Sequence, residues 1–393
     1  MLRTTIAAAL LVSVALPMSA QAEDEVTIGV FLGFTGPIES LVASMGPSAE
    51  MAIKEVSDSG ALLGGMKVNS VRGDTTCIDA GAATTAAERL ITADGVAAIV
   101  GGDCSGVTGA TLQNVAVPNG IVMVSPSATS PGLTTMEDDG LFFRTAPSDA
   151  RQGEIVRDIL QEKGISEIAI TYTNNDYGKG LADSIERNFA EVGTVTINIP
   201  HEDGKGDYSA EVATLAAAGG EVLVVAGYVD QGGAGIVRGA LDTGAFDTFY
   251  FPDGMVGDVL PTIGELDGSF GAAPGTDSEG AAMFETMASD AGISMQPFAG
   301  ESYDAAALIL LAMQAAGSTE SSALKDKLMD VANAPGEQIF PGQLEKALKI
   351  LADGGEIDYV GASAVELIGP GESAGNYREI AIDGDQLVTV GFR

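Results

Sequence analysis

Five short loops carry the residues of this chain that could grip a small molecule. Two are rich in hydroxyls and glycine: "GGDCSG" (101–106) and "SPSATSP" (125–131). They offer Ser105, Ser127 and Thr129, with free backbone N–H groups where a helix begins. Hydroxyls beside a helix start suit a carboxylate, which is smaller and less charged than a phosphate. Pro126 and Pro131 stiffen the second loop. The other three loops are "TNNDYG" (173–178), "AGYVD" (226–230) and "FPDG" (251–254), which present Tyr177, Tyr228 and Asp253. Two aromatic rings and one carboxylate can cover an ammonium group and pack on an aliphatic stem. Each of these residues alone also reads as an ordinary cap, turn or packing residue. Their joint position at successive strand ends favours binding, and anion binders facing cation binders describe a site for an α-amino acid.

The sequence argues against catalysis. The chain has one histidine, His201, in "IPHEDGKGD", a polar turn after a strand, where it reads as a surface residue. There is no H-E-x-x-H or G-x-x-x-x-G-K-[ST]. "GGDCSG" is not a dinucleotide fingerprint, and a phosphate there would lack a cationic partner. Metal clusters of His and Cys are impossible with this inventory, so no cofactor or metal is expected. A glycosidase pair among 55 acidic residues has little specificity.

The loops need elements to hold them. Apolar, β-branched runs at 26–34, 67–73, 96–102 and 120–125 read as strands, with helices at 46–60, 79–95 and from Gly106 between them. Ala83, Ala86, Ala87, Leu90 and Ile91 share one face of the second helix. The alternation restarts after "FFRTAPSDA" (142–150). Strands are expected at 166–173, 194–200, 221–228 and 247–254, and helices through Lys163 and at 179–192, 208–218 and 232–243. Beyond Pro274 the chain reads as helices near 279–291, 301–317, 320–333 and 341–353, then two strands at 376–382 and 386–392. This is an α/β protein of two doubly wound parallel-sheet lobes. Ligands of such sheets bind outside the carboxyl ends of the strands, where strand order reverses. Two facing lobes place the site in the cleft between them, closing by hinge bending.

Composition sets the setting. Residues 1–22 have a basic start (Arg3), the apolar run "IAAALLVSVAL" and "AQA" at 20–22, the layout of a cleaved secretory signal. An uncleaved anchor helix is the alternative, but the run is shorter than the ~20 residues a span needs. The chain is strongly acidic, with 19 Lys+Arg against 55 Asp+Glu and a net charge of −36. That makes nucleic acid and anionic membrane surfaces poor partners. The two cysteines, Cys77 and Cys104, read in an exported chain as one disulfide; a metal site or catalytic thiol lacks partners.

From Val26 to the C-terminus the chain resembles the periplasmic solute-binding proteins of branched-chain amino acid (Leu/Ile/Val) ABC transporters. The matching stretches are "TGP" (35–37), "DTTCID" (74–79), "GGDCSG", "SPSATSPGLT" (125–134), "FRTAPSDARQG" (143–153), "NNDYGKG" (174–180), "GYVDQGG" (227–233) and "FPDG". The resemblance implies the type I Venus-flytrap fold, with crossovers near 144, 273 and 377. Residues 23–143 with 274–376 would form lobe one, and 144–273 with 377–393 lobe two. It implies that Ser105 binds the ligand carboxylate, that Ser127 gives a main-chain acceptor for the ammonium and that Thr129 adds its hydroxyl. Tyr177 would close from the second lobe, with Tyr228 and Asp253 beside it. Asp253 stands where the family commonly has glutamate. Where an aromatic often follows the T/S-G-P turn this chain has "IESL", which makes Leu41 the candidate. A Cys77–Cys104 bridge is likewise implied. The expectation is a monomeric periplasmic protein that captures an amino acid and delivers it to membrane ABC permease subunits without chemistry. The alternatives are a binder of urea, a short amide or an aromatic compound, and a ligand-sensing module, for which no transmembrane or effector segment is seen.

Overall fold

The computed structural model describes residues 24–393. The signal segment expected over 1–22 lies outside the described residues. The first sheet is built from β1 (Glu25–Leu32), β2 (Lys67–Asp74), β3 (Ala98–Gly101), β4 (Met123–Ser125) and β5 (Phe142–Arg144). All its strands are parallel, in the order β2-β1-β3-β4-β5. The strand order reverses between β1 and β3. β3 is buried at every residue, which is why it reads as a continuous apolar run rather than an alternating one.

Between these strands lie α1 (Glu39–Ser59) and α2 (Ala80–Thr92). Next comes α3 (Ser105–Thr111), which runs through a π turn (Leu112–Ala116) into α4 (Val117–Asn119), and then α5 (Pro131–Thr134). Two expectations need correcting. α1 begins seven residues before the expected 46, so Pro47 lies inside it. Buried Leu41, Val42 and Met45 extend its apolar face and outweigh the preference of proline for a first turn. β5 was not foreseen at all, being only three residues long.

The second sheet holds β6 (Glu167–Thr173), β7 (Thr194–His201), β8 (Val222–Ala226), β9 (Phe249–Phe251) and β10 (Phe270–Pro274). Two C-terminal strands join it, β15 (Tyr377–Asp383) and β16 (Gln386–Phe392). Its order is β16-β15-β10-β9-β8-β6-β7. The strands from β7 to β10 are parallel, and β15 and β16 are antiparallel additions at one side. β10 also escaped the sequence reading, because "FGAAP" lacks a β-branched run. The helices are α6 (Asp149–Glu162), α7 (Asp176–Phe189), α8 (Ser209–Ala218) and α9 (Gly232–Thr243). α6 packs along α7 and so belongs with this sheet.

The chain therefore passes from the first sheet to the second after β5, and returns after β10 with α10 (Glu279–Asp290) and α11 (Ala299–Ala316). α11 is buried from Tyr303 to Gln314 and packs along α1. The expected helix at 320–333 is instead two short pieces, Ser321–Leu324 and Leu328–Ala332. Two small pairs complete the first lobe: β11 (Glu337–Ile339) with β12 (Ile357–Tyr359), and β13 (Leu367–Ile368) with β14 (Glu372–Ser373). A third passage leads from β14 to β15. Among the described residues no helix is long and apolar enough to cross a membrane.

Candidate functional site

The loops that leave β1, β3 and β4 meet those that leave β6, β8 and β9. β1 with β3, and β6 with β8, flank the two reversals of strand order, so this is the crevice that doubly wound sheets leave open. A small, nearly closed cavity lies there, lined by Ile38, Leu41, Asp103, Cys104, Ser105 and Ser127 from the first lobe. Tyr177, Tyr228, Asp253 and Gly254 face them from the second, and Phe298 lies ahead of α11. Six of the seven residues singled out in the sequence thus line one space. Thr129 does not; it is fully buried, and its backbone carbonyl accepts the N–H of Asp149.

The first-lobe side is held from behind. Gly101 takes φ +133°, and a Cβ there would sit 2.0 Å from the Phe31 carbonyl oxygen, so only glycine lets β3 end against β1. Cys77 and Cys104 form a disulfide. Asp103 is fully buried and ties three loops together: it accepts from Gly33 N at 2.5 Å and from Thr75 Oγ1 at 2.8 Å. Burial pushes its carboxyl above the usual range, against the pull of these hydrogen bonds. Arg144, fully buried at the end of β5, clamps the second loop. It donates to the carbonyls of Ala128 and Ser130 at 3.0 Å each and pairs with Glu372. Ser105 Oγ accepts from Ser130 N at 3.1 Å, so its own hydroxyl proton is left to donate elsewhere.

The second-lobe side is an aromatic and acidic wall. The rings of Tyr177 and Tyr228 stack with centroids 5.2 Å apart. Tyr177 Oη donates to Asp253 Oδ1 at 2.6 Å and accepts from Gly254 N at 3.1 Å. Gly254 N also donates to Asp253 Oδ1 at 2.8 Å. A Cβ on Gly254 would meet Tyr177 Oη at 2.6 Å, so the turn that aims Asp253 requires glycine. Desolvation raises the Asp253 carboxyl above the carboxylate range, and Tyr177 and Gly254 oppose it. Burial also drives both tyrosines far above 10, so they stay neutral donors.

Contacts across the crevice hold the lobes together. Asp230 Oδ2 accepts from Ser40 N at 2.8 Å. On the other flank Asp258 N donates to Gln296 Oε1 at 3.0 Å, and Gln296 Nε2 donates to Asp258 Oδ2 at 2.5 Å.

His201 corrects an expectation. It is the last residue of β7 and 1% exposed, with Nδ1 2.9 Å from Thr171 Oγ1, not a surface residue of a polar turn. The polar residues after it face outward while its own ring is turned under α9. Burial lowers its pKa from 6.5 to about 4, so it is neutral at pH 7. It does not line the cavity.

Sequence reasoning missed Ile38, Asp103 and Phe298. Asp103 stood beside Cys104 and could have been noticed. Phe298 arrives from almost 200 residues further along the chain, and nothing local marks it. No group of three or more His, Cys, Asp or Glu side chains is placed to hold a metal ion among the described residues.

A sequence model of the family described as "Periplasmic binding protein" matches residues 25–342. Leu/Ile/Val-binding protein homolog 1 of Brucella melitensis is 31% identical over 340 residues, covering 83% of this chain and 89% of that protein. The crystal structure of a leucine-binding protein from Thermotoga maritima superposes with a TM-score of 0.77 at 21% identity, covering 93% and 98% of the two chains. A solute-binding protein from R. palustris in complex with 4-hydroxybenzoate superposes with a TM-score of 0.76 at 18% identity, covering 94% and 97%. At these identities the two solved structures establish likeness of fold alone.

Proposed function

The chain belongs to the periplasmic binding protein family and is a solute-binding protein rather than an enzyme; from that premise we propose that it captures an aliphatic, branched α-amino acid between its lobes. The observation that carries this reading is the split chemistry of one cavity. Ser105 and Ser127 lie on one side, and Asp253 with its stacked tyrosines on the other. A ligand lying across it would place its carboxylate at the Ser105 hydroxyl, whose proton is free to donate. Its ammonium would meet Asp253, and its side chain would rest on Leu41, Ile38 and Phe298. Thr129 lies behind this surface, between the Ala128 and Ser130 carbonyls that Arg144 holds. The match to a Leu/Ile/Val-binding homologue at 31% identity agrees with this ligand class.

Residues 23–143 with 274–376 and residues 144–273 with 377–393 form the two lobes in this reading. The interlobe hydrogen bonds of Asp230 and Asp258 hold the closed state. Export through the leader at 1–22, a periplasmic location, a monomeric state and delivery to an ABC permease complete the proposal. A plain aromatic acid such as 4-hydroxybenzoate fits less well, because it has no cation to offer a desolvated Asp253. A thermal-shift screen over amino acids, urea, short amides and aromatic acids tests the ligand class. Ligand that binds only the folded protein raises its melting temperature, by about 2.7 kcal/mol of stability at 100 times Kd. A shift with leucine, isoleucine or valine supports the reading. A shift with benzoates or urea and none with amino acids overturns it.

A further inference from the structure

Behind Asp253 lies a second buried carboxylate that the ligand chemistry above leaves unused. Asp149, in the first turn of α6, is completely buried; neither of its oxygens makes a well-aligned hydrogen bond, and the Thr129 hydroxyl stands near enough to favour its charged form. It stands within electrostatic reach of Asp253. The surrounding polar atoms are poorly satisfied too. Thr129 Oγ1, both ends of the Gln152 amide, and the hydroxyls of Tyr377 and Tyr250 are buried without a well-aligned hydrogen bond. Thr129 adjoins Asp149, and Gln152 lies beside both Asp253 and Tyr377. Native interiors rarely leave so many polar atoms unsatisfied in one place.

The charges at this point do not balance. The ionisable neighbours are Arg144 at the end of β5, Tyr177 on α7, Tyr228 after β8, Tyr377 on β15 and Tyr250 on β9. Arg144 is the one cation among them, and Glu372 already pairs with it. Two ionised aspartates would therefore stand desolvated with no counter-charge of their own. Two carboxylates sharing a dry site cannot both ionise cheaply.

We infer that Asp149 and Asp253 form a charge-selecting pair, in which a proton satisfies the closed site when no ligand is present and the ligand's ammonium displaces that proton on binding. The inference rests on the proposed amino acid reading. The proton leaves the Asp149 carboxyl for the solvent as the ammonium arrives at Asp253, so the charge at the pair is conserved. Desolvation, with Asp253 nearby, raises the Asp149 carboxyl well above the ordinary range. A proton and a cation competing for one pair make affinity rise with pH, by up to about tenfold per pH unit for one proton. The pair also selects the ligand: a carboxylic acid without an amine leaves it unpaired.

The test is calorimetric titration of the full chain with leucine in buffers of different ionisation heat, beside an infrared difference spectrum of unliganded wild type minus Asp149→Asn. The expected results are release of up to one proton per leucine and a protonated-carboxyl band that Asp149→Asn removes. The variant should keep its fold and bind leucine without proton release, and its preference for leucine over isocaproate, the deaminated analogue, should fall at least several-fold. Leucine binding with no buffer dependence overturns the inference and leaves the amino acid reading standing. If leucine fails to bind, that reading falls, while the band still decides whether the pair holds a proton; its absence overturns the pair.

Discussion

Replacing Asp253 by Asn changes one charge and almost no volume. Asp253 is 1% exposed, with Oδ1 2.6 Å from Tyr177 Oη and 2.8 Å from Gly254 N. Asn retains an oxygen for both donors, so the turn and the stacked tyrosines should hold. What is lost is attraction for an ammonium in a dry pocket. At ~3 Å and an effective dielectric constant of about 20, the Coulomb energy is roughly 5–6 kcal/mol, part of which desolvation of both groups cancels. Truncating one member of a buried charged pair typically costs about 2–5 kcal/mol, which is about 30- to 4,000-fold in Kd. Isothermal titration with leucine gives the number, and isocaproate is the control that should lose nothing. A folded Asp253→Asn protein that binds leucine with wild-type affinity would refute the assignment of the ammonium to this residue. Equal losses for leucine and isocaproate would show that the residue shapes the pocket instead.

Three other outcomes follow from the structure. The Cys77–Cys104 disulfide spans 27 positions in sequence, so replacing both cysteines by Ser should cost about 3–4 kcal/mol in chemical denaturation on the chain-entropy model. His201 has its folded pKa lowered to about 4 from 6.5, so the unfolded chain binds the extra proton between those values. Its contribution is present above 6.5 and is lost as pH falls toward 4, amounting to about 3 kcal/mol; His201→Gln should flatten that part of the stability–pH profile measured by urea unfolding. Asp230→Ala removes the acceptor for Ser40 N across the crevice. It should weaken ligand affinity by about 1–2 kcal/mol, read by calorimetry, while Asp230→Asn recovers much of it.

Much of the architecture was written in local pattern. The doubly buried strands read as continuous apolar runs because both faces of a parallel sheet are covered. The loops at their carboxyl ends could be picked out because glycine, hydroxyls and tyrosine cluster where apolar runs stop. Even the disulfide followed from counting two cysteines in a chain with an export-like leader. Those are features of composition and period, which sequence carries directly. The readings that failed concern short elements and long-range neighbours. β5 and β10 are strands because flanking strands offer hydrogen bonds to them, not because of their own residues.

Tertiary structure alone decided who stands next to whom. Phe298 completes the cavity because α11 packs along α1, a contact between segments more than 200 residues apart. Thr129 sits two residues from cavity-lining Ser127 in sequence, yet the Arg144 clamp turns it inward and away from the crevice. His201 looked exposed because the residues after it are polar; burial of its own ring depends on α9 folding over it. Asp149 looked like an ordinary acid in a helix first turn, where a carboxylate is favourable and unremarkable. Only the approach of α6 to the Asp253 turn makes it one of two buried carboxyl groups. Local sequence specifies the kinds of groups at strand ends, but desolvation and charge pairing are properties of the assembled surroundings, so the chemistry of the pair is set by the fold.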